Sequence, residues 1–233
     1  MAPDVVALQE VTTRTLPLWR GVLGEMGLSG SETALEAARR VEGRRPLGVL
    51  TAARRPVRRL PSPRNIPWPE RLLCCLVGEV EVLNLHSPIA PAPDLAKIRT
   101  HEAVAEYLTL NPEDRPRILC GDLNTPRREF PDGEVMSFAY DSAGRLRPER
   151  GERWDRAERA LVHGLRERGW VDAYRSIHGY GDRQASWRFA GDRGGWRLDH
   201  VLALGLRPVA SAYAHEWRRE GLSDHSALVV DFG

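Results

Sequence analysis

Polar residues of a narrow kind stand at the ends of apolar runs in this 233-residue chain. Glu10 closes VVALQE, His86 closes VLNLH, Asp122 and Asn124 follow ILCG, Asp199 lies in RLDHVLA, and Asp224 and His225 precede SALVV. Any one of these can serve as a turn or cap residue. Seven such residues at five run ends in one chain point elsewhere. If the strands that carry them pack in layers with their ends converging, one rim gathers carboxylates, two imidazoles and a carboxamide. Carboxylates so close repel one another unless a cation lies among them. Oxygen donors of this hardness suit Mg²⁺ or Mn²⁺, since no cysteine joins them and the histidines lack the paired spacing of zinc sites. Phosphate-ester hydrolysis uses such parts.

Short apolar runs are the elements that must position these residues. Asp4 to Glu10 reads as a buried strand, and Pro17 to Met26, with Leu18, Trp19, Val22, Leu23 and Met26 apolar, as the helix after it. Leu47 to Thr51 is a strand, and Leu72 to Val77 and Val80 to His86 flank a hairpin turn at Gly78-Glu79. After a proline-rich loop, Asp94 is expected to cap a helix to Leu108, with Leu95, Ile98, Ala105 and Leu108 on one face. Arg117 to Cys120 is the strand that delivers Asp122. The charged segment Phe130 to Arg153 suggests a long surface loop or small hairpin, and Trp154 to Arg168 a helix striped by Trp154, Ala157, Leu161 and Leu165. Strands are expected at Trp170 to Tyr174, Ser186 to Phe189, Leu198 to Leu204, Val209 to His215 and Ala227 to Phe232, with GDRGG (191–195) as a hairpin turn. Strands mixed with helices, without strict alternation, indicate an α+β layered fold in a single domain over 1–233.

Composition excludes some classes. The longest apolar run, Leu72 to Val77, is far too short for a bilayer, and the N-terminus lacks a basic region followed by an apolar core, so a cytoplasmic, monomeric protein without membrane association is expected. Cys74, Cys75 and Cys120 sit inside apolar runs and read as buried small hydrophobes rather than a disulfide or zinc set. The net charge of +2 permits an anionic partner without demanding one. Lys97 is the only lysine, so nearly every positive charge is a guanidinium, with dense runs at Arg39-Arg40, Arg44-Arg45, Arg54-Arg55 and Arg58-Arg59.

The ordered set LQE, NLHSP, GDLN, RLDH and SDH resembles the endonuclease/exonuclease/phosphatase superfamily of metal-dependent phosphoesterases, over nearly the whole chain. The resemblance implies a four-layer α/β/β/α sandwich of the deoxyribonuclease I type with its site at one edge of the sheets. It implies Glu10 as principal metal ligand, with Asp224 near the metal directly or through water. It implies Asp122 as the residue that orients or deprotonates the attacking water, Asn124 as a hydrogen-bond partner of the scissile phosphate, and His225 as a phosphate contact held by Asp199. Either Asp122 or His225 could be the base, and Asp122 is the expected one. His86 matches a donor to the phosphate or leaving oxygen. The family opens with a strand bearing a further metal-site Asn, which this sequence does not show before the Glu10 strand. A sheet without it would lack an inner strand and expose an apolar edge.

The C-terminal third resembles the exonuclease III branch, which implies Trp187, Trp196 and Leu198 around a base-less sugar and DNA as partner. Core packing is the other reading of those tryptophans. Arg197 and the Arg54 to Arg59 run are candidate backbone contacts. A nuclease processing abasic sites or 3′ ends in DNA repair is the leading expectation. A phosphodiesterase or phosphatase acting on a small-molecule or lipid phosphoester is the alternative, and a non-catalytic binding module the third. His101, His163, His178 and His215 read as surface or packing residues, and strand alternation points His200 away from Asp199.

Overall fold

The computed structural model describes residues 2–38, 45–110 and 115–233; Arg39, Arg40 and Arg44 of the basic runs fall outside them. The strands are β1 (Val5–Val11), β2 (Gly30–Thr33), β3 (Gly48–Ala53), β4 (Val57–Arg59), β5 (Leu72–Val77), β6 (Val80–Leu85), β7 (Arg117–Asp122), β8 (Arg128–Glu129), β9 (Val135–Met136), β10 (Val171–Asp172), β11 (Trp187–Arg188), β12 (Gly195–Trp196), β13 (Asp199–Leu204), β14 (Pro208–Ala214) and β15 (Ala227–Phe232). The α-helices are α1 (Leu16–Glu25), α2 (Ala96–Leu110), α3 (Gly151–Arg159), α4 (Ala173–His178) and α5 (Glu216–Arg219).

A six-stranded sheet runs β10-β13-β7-β6-β5-β4, a second sheet runs β1-β3-β2, and β14 pairs with β15. The period-two alternation of side chains separates the cores on the two faces of the large sheet. Cys74, Leu83, Leu85, Leu119 and Leu202 point to one face, under Val104 and Leu108 of α2 and Leu161, Val162 and Leu165 beyond α3. Their neighbours Cys75, Val82 and Cys120, with Ile118 and Val201, point to the other face against Ala53 of β3. On the far side of the small sheet Val11, Leu50 and Ala52 meet Leu23 of α1. Helix, sheet, sheet and helix thus stack as four layers. β14 and β15 form a separate two-stranded sheet. β1 and β15 each pair on one side only among the described residues, and Val5 on β1 is exposed.

Several local expectations are corrected. Asp94 does not cap α2: Asp94 and Leu95 both take left-handed backbone (φ 55 and 53), the helix begins at Ala96, and Leu95 is exposed. The stretch expected as a strand over Trp170 to Tyr174 holds only two strand residues, because Asp172 accepts hydrogen bonds from the Tyr174 and Arg175 N–H groups and caps α4. Gly151 to Arg168 is helical with a π turn at Ala160–Gly164, and the four expected stripe residues are all buried. β2 and β4, short and polar, have no apolar signature in the sequence. The cysteines are buried and unbridged.

Candidate active site

β7 and β13 are antiparallel, with Asp122 directly opposite Asp199. Register, rather than parallel strand ends, therefore brings these carboxylates together. Just before Asp122 the β6 and β7 backbones approach so closely that only glycine fits. Gly121 has φ +120, and a Cβ there would lie 2.2 Å from the Leu85 carbonyl oxygen. Past Asp122 the chain turns through Asn124 at φ 51, a left-handed conformation that asparagine tolerates. The Asn124 backbone N–H donates to Oδ1 of Asp122 and its side-chain amide to Oδ2, each at 2.8 Å. The same amide nitrogen donates to the Ser87 carbonyl at 2.9 Å. Both amide hydrogens are thereby committed, so in this geometry Asn124 serves Asp122 rather than donating to a phosphate.

His225 enters from the turn before β15, where an isolated bridge joins it to Trp187. Its Nδ1 donates to Oδ2 of Asp199 at 2.7 Å. Asp199 is itself fixed: the Ser186 hydroxyl accepts from its N–H, and the Tyr213 hydroxyl donates to its carbonyl. Burial pulls the His225 pKa down, but the Asp199 hydrogen bond and charge outweigh it and push it up to about 9. Burial first, and then the Asp199 charge, push the Asp122 carboxyl up to about 7 against the opposing field of His225.

His86 is buried, with Nε2 3.8 Å from both Glu10 and Asp122. Burial, Arg71 and His225 lower its pKa to about 3, so it stands there as a neutral imidazole and these contacts are not ion pairs. Glu10 sits in a break of the β1 register at φ 57, with its side chain 64% exposed. Asp224 is exposed beside His225. Among the described residues, Asp122, Asp199 and His225 form a group that could hold a metal ion, with ligand atoms all within 4.8 Å of one another. Neither Glu10 nor Asp224 is part of it. The donor set of carboxylate oxygens with one imidazole fits a hard divalent cation.

Beside this centre Trp187 and Trp196 stack on each other, with centroids 5.1 Å apart and planes 12° apart, and Phe189 meets both edge-on. They form a wall whose faces largely cover each other. Leu198 is buried behind it. Arg197 is no surface contact. Its side chain is 3% exposed, and the guanidinium bonds Glu129 and Asp172, each with a shortest distance of 2.6 Å. Glu129 is shared with Arg175. Beyond Trp196 lies a cleft of about 260 Å³ lined by Arg127, Arg128, Arg183 and Arg188, a basic surface that the sequence reading did not single out. His200 is buried on the opposite face from Asp199 and bonds the Thr125 carbonyl. His101 is fully buried, its Nε2 2.8 Å from the Ser87 hydroxyl.

A four-layer sandwich with an Asp-Asn turn facing an Asp-His pair at one sheet edge defines a class of hydrolytic site. The sequence matches the Endonuclease/Exonuclease/phosphatase family over residues 1–225, and the chain belongs to that family. Solved structures similar to it share its fold. An AP endonuclease from Archaeoglobus fulgidus is 22% identical, with a TM-score of 0.69, over 99% of this chain and 89% of that one. A 3′ phosphatase, NExo, from Neisseria bound to a product DNA hairpin is 20% identical, with a TM-score of 0.67 and the same coverage. A 3′-5′ exonuclease (NExo) from Neisseria meningitidis gives 20% and 0.66 at that coverage. No curated protein matches in sequence. Among the described residues, no helix is long and apolar enough to cross a membrane.

Proposed function

We propose that the chain is a divalent-metal-dependent phosphoester hydrolase, most specifically a DNA nuclease or 3′-phosphatase of the exonuclease III type acting in repair. The observation that carries this reading is the juxtaposition of a carboxylate oriented by Asn124 with an imidazolium held by Asp199. Asp122 takes the proton of the attacking water. His225, cationic below about pH 9, offers its Nε2 proton to a phosphoryl oxygen. His86, neutral, donates to the phosphate or the leaving oxygen. Glu10 and Asp224 would hold Mg²⁺ or Mn²⁺ at the margin of the rim formed by Asp122, Asp199 and His225. Once bound, the cation neutralises phosphoryl charge and lowers the pKa of bound water.

DNA is favoured over a small phosphoester by the arginine-lined cleft beyond Trp196, which gives a polyanion a second place to bind outside the catalytic centre. Processing of 3′ ends is favoured over abasic recognition, because Trp187 and Trp196 stack as a wall rather than framing an open sugar pocket. The protein would act as a cytoplasmic monomer. Labelled duplexes carrying either a 3′-phosphate or one abasic site, incubated with Mg²⁺ and with chelator, test the reading. Metal-dependent product from the 3′-phosphate duplex at the higher rate is expected. Hydrolysis of small phosphodiesters alone would move the assignment to the alternative substrate class.

A further inference from the structure

In a chain whose cations are otherwise arginines, the one lysine is buried: the Lys97 side chain is 1% exposed, on the first turn of α2. Its Nζ lies 2.6 Å from Oε1 of Glu158, which is fully buried on α3. It also donates to the Asn124 carbonyl oxygen, again at 2.6 Å. Glu158 completes the link from the other side. Its Oε2 accepts from the Thr125 hydroxyl at 2.8 Å and from the Phe138 N–H at 2.9 Å, and its Oε1 accepts from Trp154 Nε1. Phe138 packs beside the ammonium, 4.9 Å from ring centre to Nζ. Burying both charges is expensive unless every remaining donor and acceptor is satisfied, and here Glu158 has a partner on every side. What the pair grips is the Asn124 backbone carbonyl and the Thr125 hydroxyl, just after the catalytic carboxylate.

We infer that the Lys97–Glu158 pair is a positioning device: from the helical layer it clamps the Asn124 carbonyl and the Thr125 hydroxyl, so that the Asn124 amide is held onto Asp122. Asn124 is in left-handed backbone, where a free turn would relax. Lys97 holds its carbonyl on one side while its N–H and amide hold Asp122 on the other. The inference rests on the proposed role of Asp122 and goes further by naming what fixes that residue's partner. Neither Lys97 nor Glu158 touches the reacting atoms.

The test compares Lys97→Met and the double variant Lys97→Met/Glu158→Gln with wild type, on the 3′-phosphate duplex and by NMR of the Asn124 side-chain amide. Rates are taken well below the lowest melting temperature. We expect kcat to fall about 100-fold in Lys97→Met, the scale of a displacement of about 1 Å in a positioned group, with KM within twofold. The Asn124 amide signals should move towards solvent-exposed values. In the double variant, which leaves no uncompensated charge, Tm should recover while kcat stays low. Recovery of kcat together with Tm, or unmoved Asn124 signals in Lys97→Met, would overturn the inference by reducing the pair to fold stability. If Lys97→Met does not fold, Thr125→Val cuts the Glu158 arm alone and must move the same signals. A wild-type protein without activity would sink the proposed function, while the NMR comparison would still decide this inference.

Discussion

Asn124 donates to both carboxylate oxygens of Asp122, through its backbone N–H to one and its side-chain amide to the other. Two donors on one neighbour fix the carboxylate's plane and leave it aimed at the rim it shares with Asp199 and His225. Asp122→Ala should therefore lower the hydrolysis rate by at least about 10²- to 10⁴-fold, the usual contribution of a positioned base, while the folded state survives. Unchanged turnover in a folded variant would remove Asp122 from the chemistry.

The same residue opposes folding. Its carboxyl keeps a proton to about pH 7 in the folded chain, against 3.8 ordinarily, so folding takes up a proton between these values and stability falls as pH rises through that window. Asp122→Asn removes that loss. In metal-free buffer its Tm gain over wild type should be larger at pH 8 than at pH 5. An equal gain at both values, or none, would show that the carboxyl is not perturbed.

His225 moves stability in the same direction with pH, but by supporting the fold when charged rather than opposing it. Its pKa rises from 6.5 to about 9 on folding, so the bond to Asp199 contributes stability that is complete below pH 6.5 and lost as pH climbs to about 9. Thermal melts of Asp199→Asn should lack this decline. A decline identical to that of the wild type would place the titrating group elsewhere.

Two sets of arginines should separate cleanly. Arg197→Met strands Glu129 and Asp172 with reduced neutralisation and should cost about 3–5 kcal/mol of stability, read from urea midpoints. Arg128→Ala and Arg183→Ala should leave stability within about 0.5 kcal/mol. Each should instead reduce the slope of log affinity for duplex against log salt by about 1. Binding whose salt slope ignores both cleft substitutions would argue against a polyanion in that cleft.

Gly121→Ala should disrupt the site through the backbone. The added Cβ collides with the Leu85 carbonyl at a φ that alanine avoids, a change expected to cost more than about 1 kcal/mol and to displace Asp122. Retained stability and full activity together would mean that the two strands can separate there.

Much of this site was legible because a polar residue ending an apolar run needs only local pattern to be noticed. Asp122, Asp199, His225 and His86 do lie at one rim. What stayed hidden depends on long-range pairing. Nothing local says that Asp122 faces Asp199, since the β7-β13 register sets that. Arg197, next to a site motif, read as a surface cation because its partners Glu129 and Asp172 are 68 and 25 residues away. Lys97 stood out only as the single lysine, and Glu158, 61 residues on, carried no mark at all. Local capping misled twice: Asp94 lies in a left-handed turn and caps nothing, while Asp172 caps a helix from what read as mid-strand.

The most direct measurement is phosphate release from a 3′-phosphate duplex by wild type and by Asp122→Ala, with Mg²⁺ and with chelator. Release by the wild type only with Mg²⁺, and its near disappearance in the folded variant, is the predicted result. Release that persists in chelator, or equally in Asp122→Ala, would contradict a metal-dependent site built on Asp122.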